Sequence, residues 1–331
     1  MKQSTPVRSL ALAALLACAG AAQAQSSVQL LGLVDMSAGS FQAPGAAEST
    51  KRVENGSMTT SYWMMRGKED LGGGLAAVFS LESFFRADTG EAGRFGGDKF
   101  FARSAYAGLT SDKLGTVRLG RITTPLFVST VVFNAFGDSY GFSPVVRHVF
   151  TSGTVTGDSG WSDAVAYTSP TFGGLKADVL AAAGEGNGGR NWSAALNYGI
   201  GSFAATAVIQ DVKKNDSGVA DTRTWQAGAA YDFGLAKIFA QYTNVKNNST
   251  GVEYKLADVS AAIPVTTAGK VLVAYGEIDA SGANPDRKTL SLAYDHYLSK
   301  RTDVYAAAMQ DKLDGAATTG KSYAVGLRHR F

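Results

Sequence analysis

Cysteine is nearly absent from this sequence, since Cys18 is the only one among 331 residues. It lies in an N-terminal segment with a basic start, an apolar run and a small-x-small triplet that ends at Ala24. This pattern is typical of a secretory signal peptide, so we predict that residues 1–24 are removed. Residues 15–18 also loosely resemble a lipoprotein box, which would place a lipid on Cys18 instead. The predicted mature chain, residues 25–331, has no thiol, which excludes a disulfide, a thiolate metal site and a cysteine nucleophile.

Long apolar runs and strong charge are lacking too. Beyond the predicted signal peptide no run of 18 apolar residues occurs, so membrane-spanning helices are not expected. The formal net charge is +3, and removal of Lys2 and Arg8 brings it to +1. No basic run indicates a nucleic-acid partner. The three histidines are scattered without the spacing of metal ligands, so we predict neither a metal ion nor another cofactor.

The strongest pattern that is present has a period of two residues. Between residues 190 and 200, Trp192, Leu196, Tyr198 and Ile200 alternate with small or polar residues. Residues 224–233 and 288–297 show the same alternation. It predicts strands with one apolar face and one polar face. In the first two segments aromatic residues lie near both ends of the apolar face, as expected for strands that cross two water–lipid interfaces.

Roughly sixteen such segments follow one another, and the connections between them are alternately short and long. The longest connection is residues 122–160. Short turns at one end and long loops at the other are typical of an outer-membrane barrel, so we predict an all-β, sixteen-stranded antiparallel transmembrane barrel. A secreted β-sandwich is the alternative, but it would bury its apolar faces and need far fewer residues. The predicted segments begin near Val28, Ser57, Leu75, Phe100, Gly115, Trp161, Leu175, Asn191, Phe203, Thr222, Leu235, Val252, Lys270, Arg287, Thr302 and Lys321.

The sequence ends on an aromatic residue. Every second residue from Tyr323 to Phe331 belongs to the apolar face of the last predicted strand, whereas Arg328 and Arg330 belong to the opposite face. This ending resembles the C-terminal signal of bacterial outer-membrane barrels. The resemblance implies that Phe331 is an assembly signal read by the barrel-assembly machinery.

Several short motifs resemble the general diffusion porins of Gram-negative bacteria. They are residues 28–35 (VQLLGLVD), 66–75 (RGKEDLGGGL), 101–109 (FARSAYAGL), 119–121 (LGR) and 166–170 (AYTSP). The resemblance implies a homotrimer of barrels in the outer membrane, in contact with lipid and lipopolysaccharide. It also implies a water-filled channel for passive diffusion of small hydrophilic solutes and ions, without catalysis. The loop of residues 122–160 would fold into the lumen as a constriction.

The same resemblance implies a charged constriction in which arginines of the wall face acids. Motif by motif, it assigns basic roles to Arg66, Arg103 and Arg121 and acidic roles to Glu82 and Asp138. In the long loop, Arg147 adds positive charge, and His148 is expected to add more below about pH 6.5. Charged rings sort ions by sign, so this excess of basic groups predicts a weak to moderate anion preference.

Three positions depart from the family pattern. Tyr62 and Trp161 stand where arginine is common, and Tyr140-Gly141-Phe142 replaces a common Pro-Glu-Phe motif. These aromatic residues leave a second hypothesis open, namely a substrate-specific outer-membrane channel with an aromatic track.

Two further motifs suggest chemistry. Residues 137–141 fit G-x-S-x-G, with Ser139 as a nucleophile and His148 as its base, but the motif lies in a loop instead of a strand–turn–helix element. A barrel hydrolase is therefore a less favoured alternative. Residues 184–189 fit G-x-G-x-x-G, but a predicted strand follows instead of a helix, so we predict a flexible loop and no nucleotide site.

Overall fold

The computed structural model describes residues 27–184, 190–213 and 219–331. The predicted signal peptide and residues 185–189 of the glycine-rich motif lie outside the described residues. The strands of the first half are β1 (Ser27–Phe41), β2 (Thr50–Asn55), β3 (Tyr62–Gly72), β4 (Leu75–Arg86), β5 (Glu91–Ala92), β6 (Ser104–Ser111), β7 (Gly115–Thr123), β8 (Gly160–Thr168) and β9 (Leu175–Ala182). Those of the second half are β10 (Asn191–Ile200), β11 (Phe203–Val212), β12 (Thr222–Asp232), β13 (Lys237–Asn247), β14 (Glu253–Pro264), β15 (Gly269–Ala280), β16 (Arg287–Tyr297), β17 (Thr302–Leu313) and β18 (Gly320–Arg330). Two helices, α1 (Pro125–Val132) and α2 (Pro144–Phe150), lie between β7 and β8.

These strands close into an antiparallel barrel with sixteen wall positions. Closure occurs between β1 and β18, from the pair Leu33–Arg330 to the pair Phe41–Ser322. The strands β2 and β3 share one wall position, because β1 pairs with β2 through its second half and with β3 through its first half. The two residues of β5 only extend the edge of β4. The predicted barrel is confirmed, although the strand expected to begin near Ser57 begins at Tyr62, and β2 is an additional strand that precedes it.

Side chains alternate between the two faces of the wall as the sequence predicts. On β12, Trp225 and Tyr231 are exposed on the outer face, whereas Thr224 and Gln226 are buried on the inner face. On β18 the outer face carries Tyr323 and every second residue after it. An apolar belt around a barrel with a polar interior is the pattern of a barrel in lipid. Neither described helix is long and apolar enough to cross a membrane.

The long segment between β7 and β8 runs inside the barrel. Its two helices begin in the same way, with a hydroxyl cap and a proline in the first turn. Thr124 Oγ1 accepts a hydrogen bond from the Phe127 amide at 3.2 Å, and Ser143 Oγ accepts one from the Val146 amide at 3.4 Å. Helix α1 contacts β9 to β12, and α2 contacts β14 to β16. The segment therefore leaves the wall at the end of β7 and crosses the lumen to strands on the opposite side of the barrel.

The C-terminal residue completes the closure of the barrel. The amide of Phe331 donates to the Gly32 carbonyl at 3.1 Å, and the Gly32 amide donates to the Phe331 carbonyl at 3.1 Å. The phenyl ring covers Gly32 so closely that a Cβ atom there would lie 2.4 Å from Phe331 Cζ. Glycine at position 32 is thus required for the ring to lie against the outer face of β1.

This contact leads to a first prediction. Gly32→Val should displace the ring and strain the seam, at a cost of about 1–3 kcal/mol for an overpacked contact. The temperature at which the folded form unfolds in detergent, followed by heat-dependent mobility on gels, should fall. Deletion of Phe331 should lower it too. Gly199→Val is the matched control, because a Cβ there meets no atom within 4 Å. Equal unfolding temperatures for both valine variants would contradict the role of the ring.

Candidate pore constriction

Neutral side chains of the inner wall hold α1 against the far side of the barrel. Ser129 Oγ donates to Gln226 Oε1 at 2.6 Å, and Gln226 Nε2 donates to Thr130 Oγ1 at 3.0 Å. On the neighbouring strand, Gln241 Nε2 donates to the carbonyls of Thr130 at 3.0 Å and Phe133 at 2.8 Å. Two amides of the wall thus satisfy the hydroxyls and the exposed carbonyls at the end of a short helix.

The α2 end of the loop is attached by a charged contact and by hydroxyls. Arg147 Nη2 lies 3.1 Å from Asp311 Oδ2, and His148 Nε2 lies 2.8 Å from Thr289 Oγ1. Thr289 Oγ1 in turn donates to Asp311 Oδ1 at 3.0 Å, so Nε2 carries the proton that His148 donates. Both ends of the loop are therefore fixed to the inner face of the wall.

The G-x-S-x-G motif forms a structural turn. Ser139 is fully buried, its Oγ donates to the Ser57 carbonyl at 2.7 Å, and it accepts from the Phe142 amide at 2.9 Å. Because His148 is bonded to Thr289, the nucleophile and base expected of a hydrolase do not meet. The hydrolase interpretation of Ser139 lacks its catalytic pair.

Four of the predicted constriction residues converge on one point of the lumen. Arg103 forms an ion pair with Glu82, and its guanidinium lies 4.0 Å from the centre of the Tyr62 ring. Glu82 also accepts from Ser80 Oγ at 2.7 Å. Asp138 reaches this region from the loop and accepts from Thr59 Oγ1 at 3.1 Å. Burial raises the pKa of Asp138, although the Thr59 bond and the Arg103 charge oppose that rise.

Two other predicted arginines lie elsewhere. Arg66 faces inward near the short turns, where its Nε donates to Gln29 Oε1 at 3.0 Å. Arg121 lies where the pairing of β7 with β8 shifts by one residue, between Gly120 and Ile122. There it bonds the Ala102 carbonyl at 2.7 Å and Asp158 at 2.5 Å. Arg121 therefore fastens the loop base and is not a free base of the lumen, contrary to its motif assignment.

Arg118 is the inward-facing arginine of β7 that motif matching missed. Its guanidinium lies 5.5 Å from the centre of the Tyr106 ring, and its Nη2 donates to Thr168 Oγ1 at 3.1 Å. The period of two residues predicts its orientation, since Arg118 lies on the same inner face of β7 as Thr116 and Ile122. The motif match, by contrast, selected the neighbouring Leu-Gly-Arg.

Two of the four predicted pore aromatics are unavailable to solutes. Phe142 has no exposed surface, and Trp161 is buried beside Ile122 and Leu180. An aromatic track through these two rings is therefore wrong, because loop packing covers both. Tyr62 stays partly exposed beneath Arg103. Tyr140 stacks on Phe127 with ring centres 6.2 Å apart, and burial raises its pKa to about 12.

His148 contributes no charge near neutral pH. Burial, followed by the charges of Arg287 and Arg147, lowers its pKa from 6.5 to about 3. The expectation that His148 gains charge below about pH 6.5 is thus corrected. At the loop base, burial would raise the pKa of Asp158, but Arg94 and Arg121 bring it down to about 2.

The basic and acidic partners of the inner ion pairs differ in exposure. The Arg103 side chain is 31% exposed and Glu82 10%, and Lys270 is 34% exposed against 1% for Asp295. Arg330 is 36% exposed, whereas Asp303 is fully buried. The pairs that Asp158 forms and the Arg86–Glu91 pair are exceptions, since the carboxylate is the more exposed partner there. At most inner pairs, then, a passing solute meets the basic group.

The loop divides the lumen into two spaces. An outer chamber of about 730 Å³ opens toward the long loops and is lined by Arg52, Arg86, Arg94, Tyr140 and Arg147, among others. An inner chamber of about 830 Å³ opens toward the short turns and is lined by Arg103, Tyr106, Arg118, Val132 and Lys176, among others. Among the described residues no group of three or more His, Cys, Asp or Glu side chains is placed to hold a metal ion.

A closed sixteen-stranded barrel with an apolar belt and a charged interior narrowed by a loop defines an outer-membrane channel. The sequence matches the Gram-negative porin family over residues 11–316, and the chain belongs to that family. It is accordingly an outer-membrane porin, a channel for passive diffusion.

Individual relatives agree with this assignment. Outer membrane porin protein 32 of Delftia acidovorans is 32% identical over 98% of this chain and 99% of its own length. An outer membrane porin protein of Bordetella pertussis is 33% identical over 50% of this chain and 45% of its own length. The solved anion-selective porin from Comamonas acidovorans is 27% identical, with a TM-score of 0.80 over 92% of this chain and 100% of that one. OmpT of Vibrio cholerae shares the fold at 16% identity and a TM-score of 0.71, over 92% of this chain and 99% of that one.

The environment of His148 leads to a second prediction. The detached loop has an ordinary histidine pKa of about 6.5, so it binds a proton that the seated loop does not accept until about pH 3. Attachment of the loop should therefore weaken as the pH falls through this window. Brief closing events in single-channel recordings should become more frequent in acid.

The charged groups close to His148 are Arg147, Arg287 and Asp311, and Asp258 lies near it across Gly276. His148→Gln keeps a donor for Thr289 but does not titrate, so it should flatten the pH dependence. His329→Gln, on the exposed outer face, is the control and should keep it. An unchanged pH profile in His148→Gln would remove His148 from this effect.

Proposed function

We propose that this porin prefers small anions over cations. The observation that carries the proposal is the exposure of the basic partners at most inner ion pairs while their carboxylates are buried. In such a pair the basic group lies between the buried carboxylate and the pore water. A solute in the pore is therefore closer to the positive charge than to the negative one. Coulomb interactions fall with distance, so the nearer charge dominates the local potential.

The narrow region around Arg103 would act first on ions that enter from the outer chamber. Glu82 is the less exposed partner of Arg103, and Asp138 on the loop is bonded to Thr59. Arg118 adds a base to the same wall. Near the short turns, Lys270, Arg328 and Arg330 face the two carboxylates of Asp295 and Asp303. The anion selectivity of the Comamonas relative supports the same sign.

We infer that the protein works as a homotrimer. Small residues form a shallow, apolar depression on the outer face near the barrel seam, with Ala38, Gly39, Ala306 and Ala308 among its lining. Small side chains let backbones of neighbouring barrels approach closely. Lipid and lipopolysaccharide would cover the rest of the belt, and Phe331 would serve the barrel-assembly machinery as an insertion signal.

We further infer that the channel performs no chemistry on its solutes and needs no cofactor. Ser139, which fits a nucleophile motif, is buried and bonded to the backbone of Ser57. Solutes would pass unchanged by diffusion through the lumen.

The proposed sign of selectivity gives a third prediction. Arg103→Ala leaves Glu82 without its guanidinium, so the zero-current potential in a salt gradient should move toward cation preference. The shift should be larger at low salt, where screening is weaker. Lys300→Ala, in an exposed short turn, removes the same charge outside the pore and should shift it little. A wild-type pore that prefers cations would contradict the proposed sign. If Arg103→Ala shifted the zero-current potential no more than Lys300→Ala does, Arg103 would have no role in the constriction.

The position of the loop gives a fourth prediction. We propose that residues 122–160 set the narrowest width of the pore. A variant shortened within residues 131–140 should therefore conduct more per channel than the wild type. Heat-dependent gel mobility would establish that the variant barrel is folded. An unchanged conductance in a folded barrel would mean that the loop does not set the width.

A further inference from the structure

The inner chamber has two unlike walls. On the loop side, Val128 and Val132 lie one helical turn apart on α1 and are 48% and 57% exposed. Both line the chamber, beside the ring of Phe133. The two valines therefore present an apolar surface to the inner chamber.

The barrel side of the same chamber is basic. Arg103, Arg118 and Lys176 line it, against the carboxylates of Glu82 and Asp178. These three basic and two acidic side chains have a formal net charge of +1.

Arg118 is only partly hydrogen-bonded. Its Nη2 bonds Thr168, and its Nε atom is buried without a hydrogen-bond partner among the described residues. None of the ion pairs found among the described residues includes Arg118. Lys176 is 44% exposed and lies at 3.9 Å from Asp178, a loose contact. These two groups retain capacity for an additional anionic acceptor.

We propose that the inner chamber is a binding subsite for amphipathic monoanions, such as carboxylates with a hydrocarbon or aromatic body. The carboxylate would lie at Arg118 and Lys176, and the apolar body would lie against Val128, Val132 and the Tyr106 ring. This proposal rests on the proposed anion preference and names the solute class that the same pore favours.

Other solutes fit the chamber less well. A small inorganic anion would leave the two valines facing water, and a neutral solute would leave Arg118 unsatisfied. A dianion exceeds the single uncompensated positive charge. The volume, about 830 Å³, lies in the range of small-molecule sites and accommodates a medium-length carboxylate.

The test uses the wild-type porin in single-channel recordings with potassium hexanoate or potassium acetate added to potassium chloride. The two anions carry the same charge, but hexanoate has four more methylenes, and each fully buried methylene raises affinity by about fourfold. We expect hexanoate to reduce the chloride current at a concentration lower than acetate by on the order of tenfold, since burial in an open chamber is partial. If hexanoate and acetate reduced the chloride current at the same concentration, the proposal would be overturned.

Variants distinguish the contribution of the apolar loop side of the chamber from that of the basic barrel side. The double variant Val128→Thr and Val132→Thr keeps shape and charge, so it should bring hexanoate to the acetate level. Arg118→Gln should weaken the block by hexanoate at least several-fold. Val265→Thr, in an exposed short turn, is the control and should behave as the wild type. A double variant that still distinguishes hexanoate from acetate would overturn the site.

The zero-current potential in potassium chloride alone reports the anion preference separately. An anion-preferring pore that hexanoate and acetate block equally would overturn the amphipathic site and leave the proposed function intact. A cation-preferring pore with a strong, valine-dependent block by hexanoate would overturn the proposed function and support the subsite.

Discussion

The seam between β1 and β18 is the constraint on which the rest of the structure depends. In lipid, every backbone N–H and C=O must find a partner within the protein, so an open sheet edge is not tolerated. Closure gives each strand two neighbours and a fixed alternation between faces. The outer row then becomes apolar, and the inner row carries the polar groups. Those inner groups, Gln226 and Gln241 among them, are what the long loop bonds to.

The attachment of the loop also decides what faces the pore. Helix α1 turns Ser129 and Thr130 toward the wall amides, and this orientation leaves Val128 and Val132 toward the lumen. Since residues four apart share a helix face, the hydrogen-bonded side and the apolar side are set together. The amphipathic character of the inner chamber thus follows from how α1 is held.

Sequence reasoning predicted the wall better than the interior. A period of two residues located nearly every strand, because one lipid-facing row constrains every second residue. Arg103, Glu82 and Tyr62 were found through their neighbours in sequence. By contrast, the partners that hold Arg121, Ala102 and Asp158, lie 19 and 37 residues away in the sequence, and a local motif does not contain them. The burial of Trp161 and Phe142 and the neutrality of His148 depend on where a loop packs against distant strands, which a local pattern does not contain.

Net charge is a poor guide to selectivity here, because acidic and basic side chains differ in length. The shorter acidic groups remain buried at the wall, whereas the longer basic groups reach the pore water. An aspartate carries its carboxylate one methylene from the backbone, so Asp295, Asp303 and Asp311 remain close to the wall and become buried. An arginine or lysine that pairs with one of them from a neighbouring strand has a longer side chain. Its charged end lies over the carboxylate, on the lumen side. Balanced pairs can therefore present a basic surface to the pore water, which explains how a nearly neutral chain could favour anions.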